Sequence, residues 1–361
     1  MTPTQQLHEL GQSLWLDNIT RTMLRDGTLA RYIDELSVTG LTSNPTIFDK
    51  AITGGDAYDD QISELTEQGL EPEDIFFAVA IRDLQGATDL FAPIHERTDR
   101  VDGFASLEVS PLLADDAPAT IEQVRKLHDQ GDRDNLFIKI PATAPGIPAI
   151  TETLALGISV NVTLIFSLER YRAVMNAYLS GLEQAHAAGK DLSKIESVAS
   201  FFVSRVDTEI DKRSDELRNR LGIAVGKRTY RAYRELLDSD RWQGLEDQGA
   251  RPQRLLFAST GTKDPNASDV LYIEAFAAPN TINTMPDKTL LAFADHGNVG
   301  DPIPADGGDA DEVLEAFQSA GVDTDELAAR LQREGAEAFN KSWNDLLESI
   351  ESESRRLAAT G

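Results

Sequence analysis

The sequence predicts an α/β protein: a single (β/α)8 TIM-type barrel with extra helices at both ends. Eight short apolar, β-branched runs recur along the chain, the segments between them space apolar residues by three and four, and the two patterns alternate. Such alternation implies right-handed crossovers and a parallel sheet, and eight strands suffice to close one into a barrel.

In chain order, a helix is expected over about residues 3–13, before the first strand-like run, LWLDNI (14–19). GLTSNP (40–45) is the second run, and a helical insertion over about 55–100 separates it from the third, FASLEVS (104–110). ITGGDAYDD (52–60) reads as a loop leading into a helix start. The helical APATIEQVRKLHDQ (117–130) precedes NLFIKIPAT (135–143), and SLERYRAVMNAYLSGLEQAHAAG (167–189) follows ISVNVTLIF (158–166). SVASFFVSRVD (197–207), RLLFAST (254–260) and TINTMP (281–286) complete the set. GNVGDPIPADGGDA (297–310) has the Gly, Pro and Asp of a linker. Beyond it DADEVLEAFQSAG opens with acids suited to a helix N-terminus and stops at Gly321, and a second apolar-spaced segment follows. Residues 1–361 are therefore expected to form one domain, a barrel over about 14–295 with an acidic helical tail, 309–361, packed on it.

Composition narrows the function classes. With 41% hydrophobic residues among 361, the chain can bury a large core. A net charge of -27 repels phosphate on average, which argues against nucleic-acid and membrane partners, so an anionic substrate must find a local basic pocket. The absence of cysteine excludes disulfides, thiol catalysis and thiolate metal sites. The N-terminal MTPTQQLHELGQSLWLDN lacks a basic n-region and an apolar h-region, and no stretch approaches the roughly 18 apolar residues of a membrane span. A cytoplasmic location is expected, and a homodimer is left open.

Polar residues cluster near the C-terminal parts of these runs: Asp17, Asn44, Glu108, Lys139, Asn161 with Thr163, Ser200 with Arg205, and Ser259. In a barrel that rim carries the chemistry, so distant parts of the chain would converge on one pocket. Each residue alone has a plain structural explanation: Asp17 as a helix cap, Asn44 before Pro45 in a turn, Asn161 satisfying backbone groups. Lys139 interrupts an otherwise apolar strand. Either it reaches water or pairs with Glu108 one strand away, or its desolvated amine is a nucleophile that condenses with a ketone or aldehyde. Schiff-base chemistry also needs a proton-transferring carboxylate, groups to hold substrate hydroxyls, and a cation for any phosphate. Asp17 and Glu108 offer the first, Asn44, Asn161, Thr163 and Ser200 the second, and Arg205 the third. The five histidines show no metal-ligand spacing, four of them lie on helical stretches, and His296 beside the last strand is assigned no role. No P-loop or dinucleotide fingerprint occurs.

LWLDNITR, GLTSNPTIF, FASLEVS, NLFIKIPAT, SVNVTLIFS and SFFVSRVD, in this order, resemble the signatures of the transaldolases over about residues 10–295. The resemblance implies a barrel enzyme of the pentose phosphate pathway. It would move a dihydroxyacetone unit between sugar phosphates, from fructose 6-phosphate or sedoheptulose 7-phosphate to an aldose phosphate, without metal or organic cofactor. Lys139 then resembles the Schiff-base lysine and Asp17 the acid/base at the hydroxyl beyond the breaking bond. Glu108 with Thr163 resembles the pair that steers a catalytic water. Asn44 and Asn161 are similar to the amides that hold the three-carbon unit, with Ser200 close by, and Arg205 to a phosphate anchor. The sequence departs from the family after the seventh run, where LFASTGTKDP has no second arginine and offers Ser259, Thr260 and Lys263 instead.

Two rival functions remain. A fructose 6-phosphate aldolase uses the same lysine but is shorter and employs a tyrosine where this chain has Phe202, which cannot move a proton. A non-catalytic sugar-phosphate-binding barrel would need the anchors but not a lysine beside two carboxylates.

Overall fold

A computed structural model describes residues 1–210 and 217–359. Eight strands form one sheet: β1 (Ser13–Leu16), β2 (Val38–Leu41), β3 (Ala105–Glu108), β4 (Leu136–Pro141), β5 (Val160–Ile165), β6 (Ser197–Phe202), β7 (Arg254–Ala258) and β8 (Ile282–Met285). Their order is β2-β1-β8-β7-β6-β5-β4-β3, with every neighbouring pair parallel. Two backbone hydrogen bonds, Gly103 N to Thr39 O at 3.0 Å and Leu41 N to Phe104 O at 2.9 Å, join β3 to β2 and close the barrel.

All eight expected strands occur, because strands covered on both faces must be apolar throughout. Helices separate them: Ala117–Gly131 precedes β4, Gly146–Ala155 follows it, and Leu168–Ala187 follows β5. The N-terminal helix is shorter than expected, Pro3–Glu9, since the chain turns through Gly11 at a φ of 96°. The insertion before β3 is two helices, Asp59–Glu67 and Pro72–Arg97, with Glu71 extended ahead of Pro72. The SVASFFVSRVD run is only partly strand: β6 stops at Phe202 and the helix Ser204–Ile210 carries Arg205 on its first turn. His296 ends the helix Asp287–His296 and lies between the exposed Asp269 and Asp295.

Inside the barrel Trp15, Phe104, Phe137, Val198, Leu256, Ala258 and Ile282 form the lower plug, with Phe104 and Phe137 stacked at 4.2 Å. Gly40 on β2 makes room for it: a Cβ there would stand 2.6 Å from the Trp15 ring. Outside the strands a second core reaches from Leu7 to Ile350. The tail supplies the helices Ala310–Ser319 and Thr324–Ala358. The latter sets Trp343 against Phe76 and Phe77 at 5.1 and 5.5 Å, and Thr46 Oγ1 meets Ser342 Oγ at 2.9 Å. The long helix thereby contacts residues that follow β2 and precede β3.

Candidate active site

Strand register builds the site. Glu108, Lys139 and Asn161 are paired neighbours on β3, β4 and β5, so they occupy one layer of the barrel. Thr163 lies two residues further along β5, beside Pro141, and Ser200 two beyond Val198, the partner of Asn161. These two hydroxyls therefore sit one layer nearer the C-terminal mouth.

Lys139, 5% exposed, has its Nζ 3.1 Å from Glu108 Oε2 and donates to the Ser43 carbonyl at 2.7 Å. The Ser43 hydroxyl in turn donates to Ser106 O at 2.7 Å, which fixes the loop that presents the carbonyl. Thr163 Oγ1 donates to Glu108 Oε1 at 3.4 Å. Burial raises the Glu108 carboxyl above its ordinary value, against the opposing pull of Lys139 and of hydrogen bonds from Lys139 and Thr163.

Asp17, just beyond β1, accepts from Thr42 Oγ1 at 2.9 Å, and Thr42 Oγ1 lies 2.8 Å from Thr284 Oγ1 on β8. Since the Thr42 proton goes to the carboxylate, Thr284 must donate to Thr42. Burial raises the Asp17 carboxyl, while Lys139, the Thr42 hydrogen bond and Lys263 lower it and Asp287 raises it further. Asp17 thus follows β1 and Glu108 ends β3, and the lysine charge acts on both.

These groups open onto a cavity of about 130 Å³ lined by Asp17, Thr42, Asn44, Lys139, Thr163, Ser200, Phe202, Arg205, Ala258, Ser259, Thr284 and Phe339. Asn44 also caps the helix Pro45–Thr53, its Oδ1 accepting from Ile47 N at 3.1 Å, which leaves the amide NH2 for the cavity. Ser259 takes a φ of 56° and bonds to Ser204 Oγ at 2.9 Å. Arg205 is half-buried and, among the described residues, has no carboxylate partner; burial lowers it from its ordinary value, but a guanidinium stays charged. It is a cation free to meet an anion.

Three expected residues stand apart from the lining. Glu108 lies beneath it, behind Lys139. Asn161, fully buried, receives the Ser200 hydroxyl at 2.7 Å and donates to Ser106 Oγ at 3.1 Å, so it holds Ser200 in place. Lys263 is exposed outside the cavity, although its charge reaches Asp17. Conversely the cavity takes in four residues outside the expected set, Thr42, Thr284, Ala258 and Phe339. Thr42 and Thr284 lie in GLTSNP and TINTMP and obey the same strand-end rule as the others, whereas Phe339 carries no such signal.

Residues 14–350 match the sequence model of the transaldolase/fructose-6-phosphate aldolase family. The chain belongs to that family. Its relatives include the transaldolase of Thermobifida fusca (strain YX), 50% identical over 367 residues that cover 99% of each chain. Transaldolase 2 of Streptomyces coelicolor is 48% identical over 363 residues, 98% of each chain. The transaldolase of Arthrobacter sp. (strain FB24) is 50% identical over 359 residues, 97% of each. Family membership joins the barrel, tail included, to chemistry on sugar phosphates.

Proposed function

We propose that this chain is a transaldolase that works through an imine on Lys139. Full-length identity near 50% to proteins of that name carries the activity and the transferase class. The observation that carries the mechanism is the buried Lys139 amine between Glu108 and the Ser43 carbonyl at the floor of a polar cavity.

The amine attacks the ketose carbonyl, and the carbinolamine loses water as Glu108, steadied by Thr163, relays the protons. Asp17 takes the proton from the hydroxyl beyond the bond to be broken. That bond then cleaves, and its electron pair moves into the protonated imine to give an enamine on Lys139. Asn44 and Ser200 hold the three-carbon unit, Ser200 being oriented by Asn161. Arg205 is assigned to the substrate phosphate, with Ser259 beside it and Lys263 as an outer contribution to the local positive field. The aldose phosphate acceptor reverses the cleavage step, and water then hydrolyses the new imine to free the product ketose and the Lys139 amine.

The reaction so assigned joins sedoheptulose 7-phosphate and glyceraldehyde 3-phosphate to erythrose 4-phosphate and fructose 6-phosphate. Such charged sugar phosphates support a cytoplasmic location, and the net charge of -27 supports the absence of a nucleic-acid partner. One folding unit over 1–361 is supported by the shared core that runs from Leu7 to Ile350.

Incubation with fructose 6-phosphate and borohydride tests the mechanism. A reduced three-carbon adduct on the peptide of Lys139 is expected; an unmodified chain, or an adduct on Lys263 instead, would overturn it.

A further inference from the structure

The helix Thr324–Ala358 presents Gln332, Gly335 and Phe339 at spacings of three and four, hence on one face. That face lies on the barrel mouth. Gln332 Nε2 donates to Ala142 O at 2.8 Å and to Leu164 O at 3.1 Å, taking up carbonyls just beyond β4 and at the penultimate residue of β5. Leu164 can offer its carbonyl because it is left-handed, at a φ of 57°, where the β5–β6 register slips. Gly335 permits the close approach, since a Cβ there would stand 3.1 Å from Leu164 Cδ2 and 3.6 Å from the Phe166 ring. One turn further, Phe339 becomes part of the cavity lining, alongside Phe202, whose ring is 5.5 Å from that of Phe166. The remaining lining is mostly hydroxyl, amide or charged.

From this we infer that Phe339 is a specificity-determining residue, which keeps water from the lysine-bound three-carbon unit and thereby favours transfer over release. The inference rests on the Lys139 imine proposed above. The enamine has two fates. In transfer, its carbon bonds to the acceptor's aldehyde carbon and the aldehyde oxygen takes a proton. In release, that carbon takes a proton instead, water adds to the resulting iminium carbon, and the carbon–nitrogen bond breaks to give dihydroxyacetone and the free amine of Lys139. Only release consumes water at the lysine-bound carbon while no acceptor is present. The cavity, about 130 Å³ when empty, is largely filled once the three-carbon unit is on the lysine; the aromatic ring of Phe339 then closes the remaining space on the tail side, and truncation to alanine would open it to water.

The test is the ratio of dihydroxyacetone released to sedoheptulose 7-phosphate formed, with fructose 6-phosphate as donor and erythrose 4-phosphate as acceptor. Phe339→Ala in the full chain is expected to raise that ratio at least tenfold, about 1.4 kcal/mol in relative barriers. Phe339→Leu, which keeps most of the apolar volume, is expected to fall between it and the parent. A ratio unchanged in both variants, whether total activity holds or drops, overturns the inference. Should the alanine variant not fold, the leucine variant alone decides, by a raised or an unchanged ratio. Failure of borohydride to label Lys139 in the parent chain would instead remove the imine itself, and the two failures are distinct.

Discussion

Lys139 Nζ and Glu108 Oε2 lie 3.1 Å apart with both side chains almost wholly buried, 7% and 5% exposed. Neither charge reaches water, so each depends on the other. Glu108→Gln removes the proposed proton carrier and leaves the lysine beside a neutral amide. Borohydride trapping at Lys139 should slow by roughly 10²–10⁴, the usual worth of a positioned acid/base group. Melting should also drop, because a buried pair broken on one side costs about 3–5 kcal/mol. Trapping at the parent rate would show that the glutamate only neutralises charge.

The Thr284–Thr42–Asp17 chain points its protons towards the carboxylate. In Thr284→Val the Thr42 hydroxyl loses its donor and holds Asp17 less firmly. The carboxyl, already raised by burial, moves up further, so the acid limb of kcat/KM shifts to higher pH. Below that limb the loss should be about three- to tenfold, the size of one weakened hydrogen bond. Thr284→Ser should restore the parent profile. An unchanged limb in the valine variant would sever Thr284 from Asp17.

Arg205 faces the cavity without a carboxylate partner among the described residues. Arg205→Ala should raise KM for fructose 6-phosphate by about 10–100-fold, from a charged hydrogen bond worth roughly 1.5–3 kcal/mol. Unphosphorylated fructose should be turned over as by the parent. Equal losses on both sugars would assign the arginine to folding.

At the N-terminal rim, Glu196 is buried 3.2 Å from Arg251 Nε, and burial pushes its carboxyl up to about 8 despite that neighbour. The folded chain keeps a proton that the unfolded chain sheds near the ordinary value of 4.5. Its stabilising effect is therefore complete below pH 4.5 and is lost as pH rises through about 8. Glu196→Gln, fixed in the neutral form, should flatten Tm across that window and exceed the parent at its alkaline end. Parallel Tm curves would show that Arg251 keeps the carboxylate ionised throughout.

How much of this was legible in the sequence follows from which forces act locally. Barrel strands are buried on both faces, so NLFIKIPAT or ISVNVTLIF announce themselves by apolar content, and a lysine inside one stands out. Strand-end polarity marked Asp17, Asn44, Ser200 and Arg205, which the fold brings to one cavity. Depth was not legible. Asn161 and Ser200 read alike, yet register sets one a layer below the other, and Lys263 sits where loop geometry alone decides. Gln332 bonds to carbonyls 190 and 168 positions away and Phe339 joins a lining drawn from the whole barrel, and no local pattern encodes such pairings.

The closing helix Thr324–Ala358 leaves the ribosome after all eight strands. Until it docks, the nascent barrel exposes the carbonyls of Ala142 and Leu164 and the aromatic patch of Phe76 and Phe77 that later receives Trp343. Lys139 is thus synthesised well before the helix that roofs its cavity. Translation supplies the roof of the cavity only after the last strand, and a message truncated ahead of residue 324 would lack the residues that form it.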